Sequence, residues 1–238
     1  MRPGSPLRLA GRRARYVRLL KRDAFSENHL VELDGRLWVL KRSRPLGWLA
    51  RRERRNYRRL EGIPGVPALG PVQAPMWLLH AWVPGRTLQQ LWEELNARMA
   101  AEGRARGEIA EPLVPPDFYL RLGRLLDAVH GRGLVYLDLS KKANVIVAPD
   151  GSPQLIDFQI SCWFGRRRRR GLGARLFEAL VRSDRYQLCK HARRHGLAAP
   201  DWWGVGGAEP APWLHGRYRR WLGRPWLWLR RRLLPRWW

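Results

Sequence analysis

Five residues, taken in chain order, have the types that phosphate chemistry requires. Lys41 ends the apolar run LWVLK, Glu53 is the lone acid in RRERR, Asp138 sits in YLDL, Asn144 lies a short loop beyond it, and Asp157 stands in IDFQ. A lysine at the end of a buried strand aims one fixed positive charge into the cleft that the strand borders, and a glutamate on the next helix can hold it through an ion pair. An amide oxygen and a carboxylate suit a hard cation such as Mg²⁺, which takes few protein ligands and completes its shell with phosphate and water. The remaining carboxylate, Asp138, is placed to orient and deprotonate a hydroxyl. Moving a phosphoryl group is mainly positioning plus stabilisation of charge, so these are the groups it needs.

The elements carrying these side chains must bring them together. The segment HLVELDGRLWVLK, His29 to Lys41, reads as two strands about an Asp34-Gly35 turn, and that register sets Lys41 opposite Asn28. A helix is expected over roughly 49–60, with Glu53 its only acid. PMWLLHAWV reads as a buried strand running into Pro84-Gly85. Thr87 and Gln90 form a capping box for the helix TLQQLWEEL. Asp117 is expected to cap a second helix, buried through Leu120, Leu122, Leu125, Leu126 and Val129. In ANVIVAPDGSPQLIDF two apolar runs flank another turn, at Asp150-Gly151. With those two residues as the loop, Asn144 falls opposite Asp157, and directly paired residues share a face with Cβ atoms about 4.5–5.5 Å apart. Pro149 and Pro153 leave room for a one-residue shift, which breaks that facing.

The order of these parts resembles the protein-kinase-like fold, whose signatures are the strand lysine of V-A-I-K, a helix glutamate, H-R-D-L-x-x-x-N and D-F-G. The resemblance covers roughly residues 20–190 and implies an α+β, two-lobed architecture: a small antiparallel-sheet N-lobe and a mainly helical C-lobe. It implies ATP as phosphate donor, with Lys41 on its α and β phosphates and Glu53 as the partner of Lys41. Asp138 is then the catalytic base, Asn144 and Asp157 are the Mg²⁺ ligands, and HAWVPG, His80 to Gly85, is the hinge that cradles adenine through Ala81 and Val83. The compact form, without an A-P-E segment, is similar to small bacterial kinases of the lipopolysaccharide-core (Kdo-type) and RIO-like groups.

The pattern also departs from the family. A G-x-G-x-x-G loop is absent and DAFSENH occupies its place, so phosphate contacts fall to backbone N–H groups, Ser26 or Asn28. Tyr136 and Leu137 replace the His and Arg of the catalytic loop, removing the arginine that pairs with a phosphorylated activation loop. DLSKKAN holds one more residue between Asp and Asn than the family pattern, and Gln159 replaces the glycine of D-F-G. Lys141 or Lys142 remains to neutralise the γ-phosphate.

The chain has 238 residues, 46 Lys and Arg against 20 Asp and Glu, a net charge of +26 and 45% hydrophobic residues. That apolar content excludes a disordered polyelectrolyte and the length excludes a large multidomain machine. Only five basic residues are lysines, so codon bias in a G+C-rich genome also fits the arginine excess. The expected organisation is a basic arm at 1–22, an N-lobe at 23–85, a C-lobe at 86–204 and a basic Trp/Arg-rich tail at 205–238. Such a field attracts an anionic acceptor and repels cationic substrates. Arg166 to Arg170 and the tail are the segments expected to meet an anionic membrane surface. Cys162 and Cys189 form no disulfide framework, and no apolar run reaches the length of a membrane span, so the expected location is cytoplasmic, peripheral at the inner membrane face. Cys189, His191 and His195 lack a fourth zinc ligand, and His130, before a glycine at a helix end, reads as structural.

The resemblance and the charge together imply an ATP- and Mg²⁺-dependent phosphotransferase acting on a hydroxyl of an anionic acceptor, either a protein Ser/Thr or a lipopolysaccharide or lipid-linked sugar. A catalytically degenerate kinase-like scaffold is the alternative. A basic nucleic-acid-binding protein ranks third, because it accounts for the charge but not for the ordered Lys, Glu, Asp, Asn, Asp set.

Overall fold

The computed structural model describes residues 3–22, 26–43, 47–103, 113–165 and 171–203. Its first part is a five-stranded antiparallel sheet in sequential order: β1 (Pro6–Leu9), β2 (Arg12–Arg22), β3 (Ser26–Leu33), β4 (Arg36–Ser43) and β5 (Trp77–Ala81). Asp34 and Gly35 both take positive φ, 51° and 71°, which a two-residue turn between right-twisted strands demands. The turn sets the expected register, with Asn28 opposite Lys41.

Residues 6–22 are not an arm. They form β1 and β2, joined through Ala10-Gly11, both at positive φ. In β2, Ala14 and Tyr16 are buried while Arg13 and Arg15 face water. Leu9 and Ala14 pack with Val31, Leu33, Leu40 and Leu79 on the face of the sheet opposite Lys41. A strand with arginines on its outward face has the same composition as a solvated leader; only the alternation distinguishes them.

Between β4 and β5 lies α1 (Gly47–Arg59), which buries Ala50, Glu53, Asn56 and Tyr57 along one stripe and leaves its arginines outside it. After β5 the chain forms β6 (Arg86–Thr87) and α2 (Leu88–Ala101). Thr87 and Gln90 make the expected reciprocal cap. Next come α3 (Phe118–Gly131), β7 (Leu134–Val135), a 3-10 turn at Lys142–Asn144, β8 (Val145–Val147), β9 (Pro153–Leu155), β10 (Cys162–Trp163) and α4 (Leu172–Arg194). Asp117 does not cap α3 with its side chain; its carboxylate instead accepts from Arg121 at 3.1 Å.

Phe118, Leu122, Leu126 and Val129 of α3 are fully buried, each contributing about 1.5–3 kcal/mol relative to exposure. Leu120, expected with them, is only half-buried, and Phe118 and Tyr119 take its place in the core. This core also includes Tyr57, Leu60 and Leu78 from the sheet side. Continuous apolar packing therefore joins the sheet and α1 to the helical part, and the polar site lies along that seam.

Candidate active site

Lys41 is almost wholly buried, on β4 between Asn28 of β3 and Leu78 of β5. Its Nζ lies 2.9 Å from the Glu53 carboxylate and 2.7 Å from Asp157 Oδ1. Burial opposes the ammonium charge, but Asp157 and Glu53 outweigh it and raise the lysine above its ordinary pKa. Burial also pushes Glu53 up, to about 7, against the attraction of Lys41. For Asp157 burial acts the same way, yet Lys41 prevails and holds it below the usual carboxylate range. One cation serves two carboxylates, and the fully enclosed Glu53 carries the desolvation penalty while the 29% exposed Asp157 stays ionised. An ammonium has three donors, so one N–H of Lys41 remains for a third acceptor.

The loop after β7 carries Asp138, whose Oδ2 accepts from Lys141 Nζ at 2.6 Å and from Asn144 Nδ2 at 2.8 Å. Its Oδ1 has no hydrogen-bond partner among the described residues. Burial raises the Asp138 pKa, partly offset by Lys141 and Asn144, which makes it a stronger base. Leu137, immediately before it, sits at φ 67° and Asp157 at φ 63°. Backbone strain of this kind costs of order 1–3 kcal/mol and persists only where surroundings enforce it.

The second hairpin departs from the expected register. Val145 pairs with Leu155 and Val147 with Pro153, and Ile156 N–H donates to the Asn144 carbonyl. Ile156, not Asp157, is therefore opposite Asn144. The loop is three residues, Pro149, Asp150 and Gly151, closed by Gly151 N–H to Ala148 O at 2.8 Å and Ala148 N–H to Ser152 O at 2.9 Å. This is a turn followed by a glycine at φ 74°, the common three-residue hairpin, and Pro149 presets the φ of its first position. The two oxygens do not converge through strand pairing. Asp157 is instead turned by its left-handed backbone and held by Lys41. The fit to a divalent cation rests on donor chemistry: Asn144 commits its Nδ2 to Asp138 and keeps its amide oxygen, and Asp157 commits Oδ1 to Lys41 and keeps Oδ2. Two hard oxygens suit Mg²⁺, which fills its remaining positions with water and phosphate.

The other assigned residues divide. Asn28 shares the Lys41 face of the sheet, and its Oδ1 is buried without a hydrogen bond. Ser26 opens β3, paired with Ser43. Ala81 has both backbone groups engaged, its N–H by Ala68 O at 2.8 Å and its carbonyl by the His80 ring at 3.0 Å. Among the described residues no hydrogen bond holds the backbone of Val83. Lys142 is engaged elsewhere, its Nζ 3.8 Å above the Trp92 ring of α2. The lysine beside Asp138 is Lys141, with its Nζ 2.6 Å from Asp138 Oδ2. Arg166 to Arg170 and the tail from 205 lie outside the described residues.

Several positioning residues belong to no motif in the sequence. Asp184 of α4 accepts from Tyr136 N–H and Leu137 N–H, both at 2.8 Å, and from His130 Nε2 at 3.0 Å. It thus holds the strained backbone that presents Asp138, and His130 is structural through this contact. The signal was an acid on the buried stripe Phe177, Val181, Asp184, Leu188. His191, expected to be a solvated side chain rather than a zinc ligand, is buried and faces Leu139 O at 3.0 Å through Nε2, steadying the same loop. Asn56 donates to Phe158 O and Ser161 O, and Arg52 to Ile160 O and Ser161 O. These bonds tie α1, and with it Glu53, to the segment after Asp157.

No protein-family model matches the chain. It is 27% identical over 174 residues to a serine/threonine-protein kinase C from Synechocystis sp., an alignment covering 66% of this chain and 30% of that protein. The crystal structure of the BubR1 kinase domain superposes with a TM-score of 0.54 at 14% identity, covering 79% of this chain and 63% of that one. The chain thus spans less than two thirds of either protein's length. It is protein-kinase-like in sequence and in fold, with an antiparallel-sheet lobe, a helical lobe and the polar seam between them.

Proposed function

We propose that this chain is an ATP- and Mg²⁺-dependent phosphotransferase that moves the γ-phosphate to a hydroxyl of an anionic acceptor. The observation carrying this reading is the ammonium of Lys41 fixed between Glu53 and Asp157, across the cleft from a base whose second oxygen is free to accept a proton. Lys41 donates its remaining N–H to the donor phosphates. Val83 offers backbone groups to the adenine edge, and Asn28 faces the phosphates from the adjacent strand. Asn144 and Asp157 hold the Mg²⁺, which when bound supplies positive charge to the phosphate oxygens. Asp138 orients the acceptor hydroxyl and takes its proton at Oδ1, while Lys141 stands beside it to meet the transferred group's negative charge. The net charge of +26 favours an acceptor that is itself anionic, a phosphorylated or acidic protein surface or a lipid-linked sugar at the inner membrane face.

The test is ATP turnover with Mg²⁺ on the wild type and on Asp138→Asn. Loss of a positioned general base lowers turnover by about 10²–10⁴-fold. Equal turnover in both proteins removes the base. Nucleotide binding without turnover in the wild type assigns the chain as a scaffold.

A further inference from the structure

A cavity of about 760 Å³ lies between α1, the residues Ser161 to Phe164 and the start of α4, and none of Lys41, Glu53, Asp138, Asn144 or Asp157 lines it. Arg52, Arg55 and Arg59 form one wall; Trp163, Leu172 and Leu176 form much of the other. On a helix, positions spaced by three, four and seven share a face, and like charges there destabilise it. Among the described residues no carboxylate lines the cavity, and Arg55 is exposed with no ion-pair partner. Arg59 lies 4.1 Å over the Trp163 ring, and burial together with Arg55 lowers its pKa. Arg52 uses one amine on the Ile160 and Ser161 carbonyls and on Cys162 Sγ, and a guanidinium has further donors to offer.

The opposite wall is apolar and open. Trp163 is 44% exposed, Leu172 80% and Leu176 47%, and the two leucines stand one turn apart at the start of α4. Arg59 also donates to Asn56 Oδ1 at 3.2 Å, so the row has polar contacts but, among the described residues, no carboxylate partner; set beside exposed tryptophan and leucine, it matches an anionic head joined to an apolar chain. Trp and Arg side by side are also the residues that settle at a membrane interface.

We propose that this cavity binds the phosphate headgroup of an anionic phospholipid, with Arg52, Arg55 and Arg59 on the phosphate and Trp163, Leu172 and Leu176 against the acyl chains. The inference shares with the proposed function only the membrane surface, so it is tested without ATP and the two fail separately. The full chain is titrated by calorimetry with dihexanoyl phosphatidylglycerol below its micelle concentration, and in parallel with dihexanoyl phosphatidylcholine, inorganic phosphate and hexaglutamate. Saturable binding to phosphatidylglycerol is expected, at least about tenfold tighter than to the other three. The double substitution Arg55→Gln with Arg59→Gln weakens it at least about tenfold, as does Trp163→Ala, whereas Arg8→Gln with Arg13→Gln, an equal charge change on the exposed β1–β2 hairpin, changes it by less than about twofold. Should the double variant fail to fold by circular dichroism, Arg55→Gln alone carries the test, with a loss of about threefold.

Equal losses from the two arginine pairs overturn the site in favour of the general field of the protein. Phosphate binding as tightly as the lipid, or hexaglutamate doing so, overturns the lipid as ligand. Flotation on phosphatidylglycerol vesicles that the cavity variants leave unchanged retains the membrane surface and rejects this cavity.

Discussion

Lys41, Glu53 and Asp157 show burial and pairing in competition, and their outcome fixes which groups are charged at neutral pH. Asp184 acts through others: it is 1% exposed and satisfies two backbone N–H groups and one imidazole. Asp184→Asn replaces one acceptor oxygen with a donor facing donors. Leaving such groups buried and unpaired costs about 1–3 kcal/mol each, so the expected result is a lower unfolding midpoint in urea together with reduced kcat and little change in KM for ATP. Unchanged kcat separates Asp184 from the catalytic loop. Acid sensitivity also belongs to single residues. Burial lowers His80, His191 and His195 to about 4, so between about pH 6.5 and 4 the unfolded chain binds more protons, and the stability these groups give at neutral pH is lost as pH falls. Glu53, raised to about 7, has the opposite sign: its folded form prefers the proton, and it favours folding increasingly as pH falls from about 7 to 4.5. Three histidines outnumber it, and thermal unfolding is expected to shift to lower temperature across that window; a rise would contradict the neutral, buried state of the rings.

Among the elements, the two hairpins teach opposite lessons. The Asp34-Gly35 loop has two residues and sets its register; the Pro149-Asp150-Gly151 loop has three and moves every pair by one. A sequence run containing Asp-Gly fits both loops, and closure by Ala148 and Ser152 decides between them. The join after β5 is as tightly specified. Gly85 has φ 129°, and a Cβ there overlaps the Val147 carbonyl oxygen of β8. Gly85→Ala is therefore expected to destabilise the fold by about 3 kcal/mol, read from urea unfolding; a loss under about 0.5 kcal/mol shows that the β6–β8 contact yields without cost. The β1–β2 hairpin was legible only in its alternation, because Ala10-Gly11 is a weak turn signal and arginine is solvated equally well on a strand and on a loose leader.

For the molecule as a whole, a charge of +26 acts against compactness through self-repulsion. Raising NaCl from about 0.05 to 0.5 M shortens the screening length from over 10 Å to about 4 Å, so the urea midpoint is expected to rise with salt; a fall would mean that surface ion pairs such as Arg12–Asp34 outweigh the repulsion. The amino-acid sequence by itself determined the order of the chemical groups, the apolar strand that ends in Lys41, the stripe of α1 that buries Glu53, and the capping box at Thr87. These are local matters of periodicity and side-chain chemistry, complete within a few residues. Tertiary structure alone decided which side chains meet: that Lys41 bonds Asp157 as well as Glu53, that Asn144 reaches Asp138, that Lys141 and not Lys142 stands beside Asp138, and that Asp184 of α4 holds the backbone just before Asp138. Those contacts join residues as far apart as 116 positions, and they depend on the packing of the helices against the sheet, which no local pattern encodes.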